Sequence, residues 1–190
     1  TIKEFSKITK KKDAVRRCTS EGYNCEKIAI EKLKHFVSKD AFNIDGFGKK
    51  IIENFWHIKL IKLPQDIFKL NYEKIKSLEG WGRQSVENLK YSIDEKKNIS
   101  LERFIYSLGI RHIGLENAKI LSKYFKSFSK FNTLSKNNRF DELLDIDGIG
   151  ETQVSSVKNF FLNKVNLIVL NELQSILNIK NISIEKKNGL

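Results

Sequence analysis

The chain has 190 residues, 40% of them hydrophobic and thirteen of them Phe, enough for one ordinary domain or two small ones with a core. Thirty-five Lys and Arg against twenty-three Asp and Glu leave a formal charge of +12, a surface suited to a polyanion such as nucleic acid or acidic lipid. An AT-rich genome explains part of the Lys, Asn and Ile usage, but not an imbalance of this size. No apolar run approaches about eighteen residues, which excludes a membrane-spanning helix, and two cysteines exclude a disulfide framework.

The first seventeen residues, TIKEFSKITKKKDAVRR, are basic and weakly patterned, with no apolar signal region. They read as the end of another element, with Lys10, Lys11 and Lys12 solvated, and the default compartment is the cytoplasm. The absence of Met and the start at Thr1 fit an excised segment. Ile30, Leu33, Phe36 and Val37 fall on one helical face. Pro64 is placed to open a short helix through Leu70. Leu101, Phe104, Ile105 and Leu108 predict a helix behind a Ser100 N-cap. Val154, Val157, Phe160 and Phe161 predict another, and Leu170, Leu173 and Leu177 a last one. The tail, KNISIEKKNGL, reads as a polar linker. With a single proline and little strand-like alternation, the expected class is all-α.

Three stretches share a pattern: IDGFGKKIIENF (44–55), LEGWGRQSVENL (78–89) and IDGIGETQVSSV (146–157). Gly46 and Gly48 recur thirty-four residues later as Gly80 and Gly82, and sixty-eight residues further on as Gly148 and Gly150. The same period predicts a copy near residue 114. LGIRHIGLENAKIL (108–121) stands there, with His112 at the first glycine position and Gly114 at the second. The chain is thus read as four tandem copies, the third altered.

Each copy places a glycine turn before a helix. Glycine accepts positive φ and leaves room for close approach. A helix start exposes unpaired N–H groups at the positive end of its dipole, which together suit a phosphate. Phe47, Trp81, Ile113 and Ile149 are expected to pin the turns to the core, Trp81 as an anchor rather than a base-stacking wedge. Lys49 and Lys50 follow the first pair of glycines, and Arg83 and Gln84 the second; these add contacts to phosphate. The third copy offers Arg111 and His112, and the fourth Glu151 and Thr152. Glu151 suits the dipole but repels phosphate, so the first two copies are expected to bind most strongly and the fourth to be partly structural. A single such turn is slightly better explained by helix packing; four in register in a basic chain are better explained by DNA binding. His35 and His57 show no ligand-like spacing and are expected to be surface or satisfied histidines.

The repeat resembles the helix-hairpin-helix motif, and that resemblance implies a sequence-independent grip on the sugar-phosphate backbone across the minor groove. A closer resemblance runs from about Arg17 to about Phe161. The stretch KHFVSKDAFNIDGFG (34–48), with LEGWGRQSVENL and LGIRHIG, is similar to bacterial NAD-dependent DNA ligase where its four-cysteine zinc finger meets its helix-hairpin-helix domain. By this match residues 1–27 are the end of a preceding domain and half of a zinc finger. Residues 28–178 are the tandem helix-hairpin-helix domain, with four hairpins as two pseudo-symmetric pairs, and residues 179–190 are a linker towards a BRCT domain. Cys18 and Cys25 become the second pair of zinc ligands. Four are needed for a closed site; no cysteine precedes Cys18, and Glu26 follows Cys25 where the family usually has Pro, so this chain alone is not expected to complete the site.

The family resemblance implies a parent enzyme that seals nicks in DNA replication and repair, using NAD and magnesium. A lysine takes AMP from NAD and passes it to the 5′-phosphate of the nick, and the 3′-hydroxyl then displaces AMP. The K-x-D-G motif of that lysine is absent; Lys12-Asp13-Ala14 and Lys39-Asp40-Ala41 do not match it. The chain alone is therefore expected to be inactive. Its expected partners are nicked duplex DNA and the upstream adenylation and oligonucleotide-binding domains, with no membrane. Two alternatives stay open: a helix-hairpin-helix module of another repair or recombination protein, or a protein-docking module. A helix-hairpin-helix glycosylase needs a Gly/Pro-rich loop and a catalytic Asp, and the one proline, Pro64, lies far from such a pattern.

Overall fold

A computed structural model describes residues 22–182. The described chain is mostly helical. A 3₁₀ turn, Gly22–Asn24, precedes α1 (Glu26–Val37) and α2 (Lys49–His57). A second 3₁₀ segment, Pro64–Lys69, leads to α3 (Tyr72–Lys76) and α4 (Arg83–Glu95). A short strand, β1 (Asn98–Ser100), then opens α5 (Leu101–Ser107), followed by α6 (Leu115–Phe125), α7 (Phe128–Asn132) and α8 (Leu134–Asn137). The last stretch is a 3₁₀ segment, Asp141–Asp145, then α9 (Glu151–Leu162), α10 (Lys164–Ile176) and β2 (Asn178–Lys180). None of the helices is long and apolar enough to cross a membrane, among the described residues.

The expected apolar faces are the buried ones. Ile30, Leu33, Phe36 and Val37 of α1, Val154, Val157, Phe160 and Phe161 of α9, and Leu170 and Leu173 of α10 all enter the core. All twelve phenylalanines among the described residues are buried in it. Phe36 stacks on Phe42 at 4.3 Å between ring centroids, and both meet Phe68 edge-on. Phe131 does the same for the second half, with Phe125 at 5.4 Å and Phe161 at 5.2 Å. Edge-to-face pairs of this kind add to the area that each ring removes from water.

Three details refine the sequence reading. The short helix that Pro64 opens is of the 3₁₀ type: Asp66 turns back so that the amides of Lys62 and Leu63 donate to its Oδ2 at 2.9 and 2.8 Å, which tightens the turn. Ser100 does occupy the N-cap of α5, but its hydroxyl makes no cap bond and is buried without a partner. The first residues of the expected linker are held to the fold. Asn178–Lys180 pairs in parallel with Asn98–Ser100, and the Ile182 amide donates to the Lys126 carbonyl at 2.8 Å. Ile99 on β1 is buried beneath this pairing. The cluster α7–α8 carries no mark in the sequence pattern; Ser127 caps α7 by accepting from the Lys130 amide.

The two halves of the chain are locked through α1 and α5. His35 Nε2 donates to the Tyr106 carbonyl at 2.7 Å, and its ring meets Tyr106 edge-on. Arg103 reaches back to the carbonyls of Ala41 (2.8 Å) and Lys39 (2.6 Å). His35 is thus a satisfied histidine, as expected. His57 is exposed and donates from Nδ1 to the Glu53 carbonyl.

Candidate nucleic-acid interface

The four glycine turns share one backbone shape. Gly46, Gly80 and Gly148 have φ of +81°, +81° and +87°. His112, at the same place in the third copy, has φ of +62°, the left-handed region that glycine enters without a steric penalty. Two residues on, Gly48, Gly82, Gly114 and Gly150 are the extended N-caps of α2, α4, α6 and α9. In the last three turns the amide between the two positions closes the turn: Trp81 onto Leu78, Ile113 onto Ile110 and Ile149 onto Ile146, at 3.0–3.1 Å. Phe47, Ile113 and Ile149 are buried as pins. Trp81 is half-buried, 5.6 Å from Phe55.

This geometry leaves donors outward. A glycine N-cap has no side chain with which to cover the first-turn amides, so those N–H groups face solvent at the positive helix end. Around Gly48, Gly82 and Gly114 an added Cβ would meet nothing within 4 Å. The turn surfaces are therefore open to a bulky anionic chain. The fourth copy is different. The Gly150 amide donates to Gln153 Oε1 at 3.2 Å, and Asp147 and Glu151 stand exposed beside it. A Cβ on Gly148 would meet Ile120 Cδ1 of α6 at 2.9 Å, so that glycine serves close packing.

The charged side chains follow the same gradient. Lys49, Lys50, Arg83 and Gln84 are all exposed at the starts of α2 and α4. Lys49 lies 3.9 Å from Glu53, and Arg83 Nε donates to Glu87 at 2.9 Å. The Glu87 hydrogen bond raises the already high Arg83 pKa, so the guanidinium is a permanent cation. Exposed ion pairs one helical turn apart are weak and exchangeable for phosphate. Gln84 bonds Asn88 at 2.9 Å. In the third copy Arg111 and His112 are exposed, and Asn117 donates to the His112 carbonyl at 3.0 Å, bracing the strained turn. Gly46 and Gly80 line one groove between the first two turns, together with Trp81, Ser85 and Asn88. Arg111, His112 and Thr152 line a second groove between the third turn and α9. Five of the predicted residues thus divide between two grooves, Gly46 and Gly80 in one and Arg111, His112 and Thr152 in the other.

Of the cysteines, Cys25 is the half-exposed, unpaired N-cap of α1, and Cys18 lies outside the described residues. Among the described residues no three His, Cys, Asp or Glu gather as a metal set. A single cysteine does not complete a zinc site among the described residues. The sequence reading missed Lys32, which lines the second groove from α1. No local pattern could have found it, because the groove forms from segments far apart in the chain.

A family model described as "Helix-hairpin-helix motif" matches residues 103–170, the stretch that holds the third and fourth turns. The particular similarity is to bacterial DNA ligases. The whole chain is 65% identical to a protein named DNA ligase from Pelagibacter ubique, of which it covers 28%. It is 44% identical over 172 residues to the DNA ligase of Wolbachia pipientis, and 40% identical over 189 residues to that of Rickettsia canadensis, covering 26% and 27% of them. The resemblance read from the glycine turns and from residues 34–48 is thereby shown, and the chain spans little more than a quarter of the curated relatives it matches.

Proposed function

We propose that this chain is the duplex-gripping module of a DNA ligase that seals nicks in replication and repair. The observation that carries the proposal is the repetition of one backbone shape at four helix starts, with the third copy forcing a histidine into the left-handed region to keep it. That shape leaves amide donors to phosphate oxygens and reads no base, which suits an enzyme that must act at any sequence. The turns are best understood as two pseudo-symmetric pairs, the first with the second and the third with the fourth. The close approaches of Gly46 to Leu89 and of Gly148 to Ile120 support that arrangement. The first two hairpins, with Lys49, Lys50, Arg83 and Gln84, supply the stronger grip.

The reaction itself belongs to other parts of the parent enzyme. There NAD would supply AMP to a lysine, and magnesium would assist; Cys18 and Cys25 would contribute two thiolates to a zinc finger whose other ligands lie outside this sequence. The module's share of the rate is geometric: holding the two ends of a nick in place removes the entropic cost of bringing them together. A protein-docking role is favoured for the fourth hairpin alone, because its Gly150 amide is occupied and its rim is acidic.

Fluorescence anisotropy with a short duplex tests this reading. Sequence-independent binding at low salt, falling to roughly 10⁻⁴ to 10⁻⁶ M at physiological salt, is the expected result. Absence of binding at low ionic strength would contradict it.

A further inference from the structure

We propose that the groove between the third hairpin turn and α9 seats one phosphodiester strand of duplex DNA, with Lys32 of α1 as its innermost cation. This deepens the reading of the chain as a duplex-gripping module and rests on it. The groove has a volume of about 670 Å³. One wall is the turn that carries Arg111 and His112; the other is α9, which presents Thr152, Ser155 and Asn159 at helical spacing along one face. Lys32 enters from a different hairpin altogether, through the packing of α1 on α5.

Three observations carry the assignment. Lys32 is recessed, its ammonium 5.1 Å above the centroid of the Tyr23 ring, and it makes no ion pair among the described residues. Burial lowers its pKa, so the charged form is under strain that an anion in the groove would relieve. The groove walls offer donors rather than carboxylates: the Ser155 hydroxyl and the Asn159 amide make no hydrogen bond within the described protein, while Ser156 is occupied by the Thr152 carbonyl. The one carboxylate, Glu151, belongs to the self-capped fourth turn and excludes phosphate from that side only. A phosphate bound here would meet a cation at the back and neutral donors along one side, a combination that positions a backbone without reading bases. The sequence-predicted residues Arg111, His112 and Thr152 then belong to a groove with a floor, not to an isolated turn.

The experiment is anisotropy of the 190-residue chain on one duplex across a salt series, with four variants. Lys32→Gln is expected to weaken binding several-fold and lower the log–log salt slope by about 0.9, the value for one neutralised phosphate. Lys32→Arg should keep the slope. Because Lys32 also packs on Tyr23, Ser155→Glu is the second probe: it lies on exposed surface, cannot disturb the core, and should also weaken binding several-fold. Lys130→Gln, exposed on α7 away from the groove, should change neither reading. Wild-type binding that Lys32→Gln and Ser155→Glu both leave unaltered would overturn the groove while leaving the hairpin grip standing. Absence of wild-type binding would overturn both.

Discussion

The glycines of one repeat do different work, and substitution separates their roles. Gly82 has an ordinary extended backbone and open space where a Cβ would stand, so Gly82→Glu should fold normally. The new carboxylate would sit at the mouth of the α4 amides and repel phosphate. Duplex affinity should fall at least tenfold with an unchanged circular dichroism spectrum; intact affinity would remove this turn from the interface. Gly148 is the converse. Its φ of +87° and the 2.9 Å approach to Ile120 make Gly148→Ala a stability variant. The left-handed conformation alone costs a side chain about 1–2 kcal/mol, and urea unfolding should show at least that loss, with little effect on DNA binding once the protein is folded. His112 shows why the altered copy is still legible in the sequence: the period locates it, and its backbone keeps the shape that a glycine would have taken. Lys32 is not legible, because nothing within ten residues of it signals a groove built from α1, the third turn and α9.

At the scale of elements, helical periodicity finds the long helices and their buried faces, since burial of one stripe is what fixes them. It does not find α7 and α8, whose five and four residues are too short to express a period. They are held instead by Phe128, Phe131 and Leu134 entering the core. Phe131, fully buried between Phe125 and Phe161, ties this cluster to α6 and α9. Truncation to Ala should cost about 3–5 kcal/mol, read from chemical denaturation, and should loosen the third and fourth turns before the first two. The parallel pairing of β1 with β2 is equally hidden: three residues per strand give no alternation, and the partners are some eighty residues apart. The starts of α2 and α4 carry the exposed cations. Replacing Lys49, Lys50 and Arg83 with Gln should flatten the salt dependence of duplex binding by about 0.9 in log–log slope for each phosphate no longer neutralised. A slope that does not move would place these side chains away from the DNA.

Over the whole molecule, the +12 charge and the four turns point the same way, but charge alone does not choose between nucleic acid and another polyanion. The turns make the choice, because they offer a repeated backbone cradle rather than a diffuse field. They also grade the surface: an open, cationic first pair, a grooved third hairpin and a self-capped, acidic fourth. Such a gradient would let the module grip duplex with one region and leave another for protein contact. Under the proposed function, a hold made through backbone amides would suit a substrate defined by a break in the backbone.

The most direct test is anisotropy of this chain on nicked and intact duplexes of identical sequence across a salt series. The account predicts steep salt dependence on both, with affinities that differ little, because backbone amides and lysines meet phosphates that a nick leaves in place. Binding that is insensitive to salt, or absent even at low ionic strength, would contradict the central claim that the glycine turns hold the DNA backbone.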